Sequence, residues 1–93
     1  MSHLRWSVPA RADLRRIRSF LEPRDPDAAA HVIGAIIDRV EQLRNFPFSG
    51  PPLEIAASRK LTVGGFPYVI LYAVTDRVVT ILRVHHAAED WQA

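Results

Sequence analysis

Apolar positions fall at Ala10, Leu14, Ile17 and Leu21, spacings of four, three and four that build one stripe along a helix. Arg11, Arg15, Arg18 and Glu22 form a polar stripe beside it. Leu4 to Val8 reads as a short strand leading in. Ser7 is placed to cap the helix and Pro9 sits in its first turn, where a missing N–H is harmless. The pattern stops near Pro23. Asp25 followed by Pro26 is a second start signal, and Ala29, Ile33, Ile36, Val40 and Leu43 mark the buried face of a longer second helix. Asp38, Glu41 and Arg44 point away from that face, while Val32 and Ile37 widen the apolar stripe enough for two packing partners. Asn45-Phe46-Pro47 ends it.

From Phe48 to Ala57 the chain reads as a rigid loop around Ser49-Gly50-Pro51-Pro52. The period then changes from 3.6 to two. Arg59-Lys60-Leu61-Thr62-Val63, Tyr68-Val69-Ile70-Leu71-Tyr72 and Ile81-Leu82-Arg83-Val84-His85-His86 predict three strands rich in β-branched and aromatic residues. Gly64-Gly65 and Thr75-Asp76-Arg77 supply turns too short for a crossover helix, so the strands form an antiparallel meander. The predicted order is β-α-α-β-β-β, an α+β fold with a helical hairpin on one face of a mainly antiparallel sheet. The other face has nothing evident to cover it. Tyr68, Ile70 and Tyr72 alternate to one side of the central strand, and Val69, Leu71 and Ala73 to the other.

The 93 residues suit a single domain spanning 1–93. A 48% hydrophobic and 24% charged composition excludes a disordered chain. Without cysteine there is neither a disulfide framework nor a thiolate metal site, and no apolar run is long enough to span a bilayer. The expectation is a cytoplasmic protein with no membrane partner. A formal net charge of +2 is too small to argue for nucleic acid, although eleven of the twelve basic residues are arginine. Arginine favours planar, bidentate contacts to carboxylate or phosphate.

Arg83 interrupts an otherwise apolar strand. It either presents a cation on the uncovered sheet face or closes an ion pair with Glu89 or Asp90 just downstream. On the first reading, Arg83→Ala leaves the folded state intact. Arg59 and Lys60 are adjacent in a strand, so only one of them shares a face with Arg83. His85 and His86 diverge for the same reason, which argues against a shared metal and leaves no metal site. Metal-free RNA cleavage needs a base, cations and an acid; Glu54, Arg59 with Arg83, and His86 are the weak catalytic candidates.

Taken in order, Trp6-Ser7, Ala12-Asp13-Leu14 with Ile17, Leu43 with Pro47 and Gly50, Arg59-Lys60-Leu61, Pro67-Tyr68-Val69-Ile70-Leu71-Tyr72, and Ile81-Leu82-Arg83-Val84-His85-His86 with Asp90-Trp91 resemble the RelE/ParE superfamily of bacterial type II toxins. The Arg-Val-x-His ending followed by Asp-Trp resembles the ParE branch, except that Glu89 stands where that branch usually has a basic residue.

The resemblance implies a toxin that inhibits growth, neutralised by a cognate antitoxin, ParD-like or other, with operator DNA contacted only through the antitoxin. It implies DNA gyrase as the target, inhibited by binding, with a role in plasmid stabilization and no cofactor. The alternatives are a RelE-like ribosome-dependent mRNA endoribonuclease and an inactive, antitoxin-binding member. Arg83, Arg59, His86, Tyr68, Tyr72 and Trp91 are the candidate target or antitoxin contacts. Arg11, Arg15 and Arg18 form a candidate landing stripe for an acidic antitoxin segment. Between Arg59 and Lys60, the resemblance favours Arg59 as the partner of Arg83.

Overall fold

A computed structural model describes residues 2–55 and 57–89. The element order is strand β1 (His3–Trp6), helix α1 (Val8–Leu21), helix α2 (Pro26–Glu41), a 3-10 turn (Gln42–Arg44), then strands β2 (Ser58–Thr62), β3 (Tyr68–Thr75) and β4 (Val78–His86). The sheet runs β1-β4-β3-β2. β1 lies parallel to β4, and the other two pairings are antiparallel. This is the expected α+β architecture, with the two helices packed on a four-stranded mixed sheet.

Both helix starts follow from local chemistry. The Ser7 hydroxyl accepts the Ala10 amide at 3.1 Å, and the Asp25 carboxylate accepts the Ala28 amide at 3.1 Å. Because Ser7 acts as the cap, Val8 is already helical and the first strand ends at Trp6, two residues earlier than its hydropathy suggests. The second helix ends at Glu41, and Leu43 enters the core from the 3-10 turn.

Ala10 and Ile17 of α1, Val32, Ile33, Ile36 and Val40 of α2, and Ile70, Tyr72, Val79, Ile81 and Val84 of the sheet form one buried cluster. β3 and β4 are joined by Asp76 and Arg77, both at positive φ (49° and 64°), as a two-residue hairpin of matching twist requires.

The register of β3 against β4 shifts at Leu71/Tyr72: Tyr72 faces Ile81, whereas Leu71 faces Arg83. Leu82 is therefore the extra residue of a β-bulge. Strict alternation from Val79 and Ile81 would send Arg83 into the core. The bulge gives that place to Val84 and leaves Arg83 in the row of Leu71.

The sheet face away from the helices is not bare at its end. Val69 and His85, paired across β3 and β4, are both buried, and Glu89 in the turn after β4 lies 3.5 Å from His85 Nδ1.

Gly50 sits where the loop before β2 crosses the sheet. A Cβ there would lie 2.4 Å from the Lys60 carbonyl oxygen and 2.9 Å from the Tyr72 hydroxyl, which accepts the Gly50 amide at 3.0 Å. Gly34, inside α2, has open space around it. Gly50→Ala should therefore lower stability by about 1–3 kcal/mol, whereas Gly34→Ala should raise it by up to about 1 kcal/mol. Thermal or urea unfolding of the two variants checks the opposite signs.

Candidate functional site at the free edge of β4

β1 has four residues and β4 nine, so β4 runs on beyond its parallel neighbour. The last shared contact is Ser7 N–H to the Ile81 carbonyl at 2.9 Å. Beyond it, side chains take over the exposed backbone groups. The Ser7 hydroxyl donates to the Leu82 carbonyl at 2.9 Å. Asp13, on the second turn of α1, accepts the Val84 amide at 2.9 Å, and Glu89 accepts the His86 amide at 3.0 Å.

Asp13 is also the partner of Arg83. Arg83 Nε and Nη2 reach its two carboxylate oxygens at 2.8 and 3.0 Å, a bidentate pair, and Arg16 Nη1 adds a contact at 3.1 Å. Asp13 is 1% exposed, whereas the Arg83 side chain keeps 41% of its surface. Burial pushes the Asp13 carboxyl up, but the hydrogen bonds from Arg83 and Val84 and the charges of Arg83 and Arg16 outweigh it, so its pKa lies below the ordinary 3.8. The hydrogen bond from Arg83 to Asp13 in turn raises the pKa of the guanidinium. Arg83 is thus paired with a residue seventy positions earlier and not with Glu89; Asp90, the other acid considered for it, lies outside the described residues. Arg83 Nη1 makes no hydrogen bond to a described residue.

The remaining candidates separate. Lys60 faces Leu71, which faces Arg83, so these three share one row of the far face. Arg59 faces Tyr72 and lies in the other row. The preference for Arg59 as the partner of Arg83 is therefore overturned. Arg59 Nη1 instead donates to the Phe48 and Gly50 carbonyls at 3.3 and 2.7 Å, with the guanidinium 5.0 Å from the Phe48 ring, and so holds the loop before β2. Tyr72 is wholly buried with its hydroxyl on Gly50, which removes it from the surface contacts. Tyr68 packs edge-on against His86, ring centroids 5.4 Å apart, and His86 Nδ1 accepts the Ala88 amide at 3.1 Å. Burial, then the negative charge of Glu89, raises the Tyr68 pKa.

Arg16, Ile17, Phe20, Tyr68, His86 and Glu89 line a cleft of about 240 Å³. Glu54 is exposed on the loop with Pro52, Leu53 and Ile55. Trp91 and Asp90 lie outside the described residues. Among the described residues no three His, Asp or Glu side chains converge as metal ligands, and no helix is long and apolar enough to cross a membrane.

A chain with this fold and this sequence matches a known toxin family over most of its length. The family of ParE toxins of type II toxin–antitoxin systems, parDE, matches residues 4–91, and the chain belongs to it. The chain is 40% identical to the protein Y4kP of Sinorhizobium fredii over 88 residues, covering 95% of this chain and 91% of that one. A chain of the chromosomal ParDE system from P. aeruginosa superposes with a TM-score of 0.82 at 27% identity, over 92% of this chain and 96% of that one. A chain of the toxin–antitoxin complex RelBE2 from Mycobacterium tuberculosis superposes with a TM-score of 0.69 at 30% identity, over 91% and 96%. The protein is a type II toxin of the ParE/RelE superfamily.

Asp13 was visible in the sequence only as a member of the Ala12-Asp13-Leu14 motif. The signal that could have singled it out is its place next to the apolar stripe of α1, where a lone carboxylate needs a cation. Arg83→Ala leaves that buried carboxylate with one amide and the exposed Arg16, so the variant should lose about 2–3 kcal/mol, reduced from a fully buried pair by the solvent exposure of Arg83. This replaces the expectation that the fold is indifferent to Arg83. Arg16→Ala should lose no more than about 1 kcal/mol.

The sign of the pH dependence follows from the lowered folded-state pKa of Asp13. Its stabilisation is complete above the unfolded value of about 3.8 and is lost as the pH falls through the lower folded value. Asp13→Asn should be less stable at neutral pH and should show a flatter loss of stability below about pH 5. Urea unfolding across that range measures both effects.

Proposed function

We propose that this toxin acts by binding and inhibiting DNA gyrase, and that a cognate antitoxin neutralises it. The observation that carries this reading is the state of Arg83. Its guanidinium is oriented by two hydrogen bonds to Asp13 while the side chain keeps 41% of its surface, in one row with Leu71 and Lys60. Adjacent strands are roughly 4.8 Å apart, so the row spans roughly 10 Å of backbone from Lys60 to Arg83. A guanidinium oriented in this way beside an apolar side chain suits an acidic protein surface, with a charge-assisted bond next to apolar contact.

The separation of the nuclease candidates supports binding over cleavage. Arg59 is registered at Tyr72 and His86 at Tyr68, four residues apart along β3, or roughly 13 Å. Glu54 is on neither strand. Acid, base and phosphate clamp would have to meet within hydrogen-bond reach of one phosphodiester. The match to the ParE family along residues 4–91 supports the same target. The likeness to a chain of the RelBE2 complex keeps a ribosome-dependent nuclease as the second reading, and the toxin–antitoxin systems among the structural relatives support a cognate antitoxin.

Induced expression should cause filamentation and an SOS response while cellular transcripts stay intact, and the purified toxin should inhibit supercoiling by gyrase. Coexpression with the product of the adjacent reading frame should restore growth and yield a stable complex. Primer extension on translated messages is the deciding measurement: cleavage within codons, without gyrase inhibition, would establish the nuclease reading instead.

A further inference from the structure

Arginines fall into two groups in this protein. Arg16, Arg24, Arg39, Arg44, Arg59 and Arg83 each hydrogen-bond or ion-pair with a described residue. Arg5, Arg11, Arg15, Arg18 and Arg77 have no such side-chain bond among the described residues, and three of these, Arg11, Arg15 and Arg18, stand together at i, i+4 and i+7 of α1, where like charges repel. All three are exposed. They line one cleft of about 220 Å³ whose other walls are Trp6 and Leu14, both half-buried against the core. These cations share their stripe with one acid, Glu22, which forms no ion pair with them among the described residues, and they border an apolar notch large enough for one side chain, so the flank keeps an excess of positive charge.

We propose that this cleft is the docking site for an acidic segment of the antitoxin, which seats one aliphatic or aromatic side chain against Trp6 and Leu14 and sets carboxylates on Arg11, Arg15 and Arg18. This rests on the reading that the toxin is held by a cognate antitoxin. The spacing defines the segment. Steps of four and three residues along α1 place the guanidinium roots roughly 6 and 4.5 Å apart along its axis. Carboxylates at i, i+4 and i+7 of a helix, or about two residues apart in an extended chain, match that ladder. Charge complementarity selects the occupant. Nucleic acid suits the arginines but not the rest: the net charge is only +2, the notch is apolar, and Trp6 is packed on the core instead of standing free to stack.

The test uses the toxin coexpressed with the product of the adjacent reading frame and the complex measured by titration at about 0.15 M salt. The triple reversal Arg11→Glu, Arg15→Glu, Arg18→Glu should weaken the complex by roughly tenfold or more and flatten its salt dependence. Arg5→Glu with Arg77→Glu, two exposed arginines outside the cleft, should change it by less than about threefold. In a Trp91→Phe background, emission from Trp6 should shift to the blue on complex formation. Circular dichroism of the triple variant controls for folding, and lysine substitutions at the segment's carboxylates should restore binding to it.

A complex undiminished by the triple reversal overturns this proposal alone. Capture of no partner by the wild-type toxin overturns the antitoxin reading and this proposal with it. Binding of a twelve-residue oligothymidylate that displaces the antitoxin and is lost in the triple variant would reassign the cleft to nucleic acid.

Discussion

Asp13 carries the structural argument because it satisfies three needs with one carboxylate. β4 outruns β1, and its Val84 amide would otherwise point into a protein edge without a strand to meet it. The same carboxylate fastens α1 to the sheet and fixes the orientation of Arg83. Burying a lone carboxylate is strongly unfavourable, and only the combination of the amide, a bidentate guanidinium and Arg16 makes the charged form the stable one there. The pair is therefore best understood as a device for placing α1 and Arg83, since buried ion pairs contribute little net stability compared with apolar packing.

Sealing that edge limits how partners can approach. At β4, the Leu82 carbonyl and the Val84 and His86 amides are taken by Ser7, Asp13 and Glu89. At the opposite edge, the loop before β2 returns Pro51 and Leu53 to the Lys60 amide and the Ser58 carbonyl, while Arg39 takes the Thr62 carbonyl. Strand addition at these positions would have to displace existing bonds. The two surfaces proposed for partners, the row of Lys60, Leu71 and Arg83 and the cleft beside α1, are accordingly made of side chains.

The elements were legible because their signals are local. Ser7 and Asp25 with their prolines mark the helix starts, and the change of period after Ala57 marks the meander. The site was less legible because its geometry depends on one residue of slippage. The bulge at Leu82 has no glycine or proline to announce it, and it decides which of Arg83 and Val84 enters the core. Without it, neither the row shared with Lys60 nor the reach to Asp13 can be derived from alternation. The bond itself joins positions seventy apart, and the sequence offered nearer acids in Glu89 and Asp90. Arg59 was misplaced for a related reason: its use is to hold carbonyls of a loop, and backbone acceptors leave no trace in sequence.

The arginine-rich first helix shows how register sorts chemically identical side chains. At about 100° per residue, Ala10, Leu14, Ile17 and Leu21 face the core; Asp13 and Arg16 fall on one flank of that stripe, and Arg11, Arg15 and Arg18 on the other. The first flank meets β4, where a carboxylate gathers two cations into a closed cluster. The second borders the notch at Trp6 and, at Arg18 with Glu22, a cleft shared with α2. Two cations on the first flank are bound by a buried carboxylate, whereas the three on the second share one exposed acid, Glu22. That asymmetry, more than the total number of arginines, distinguishes the flank that builds the fold from the flank left available to a partner.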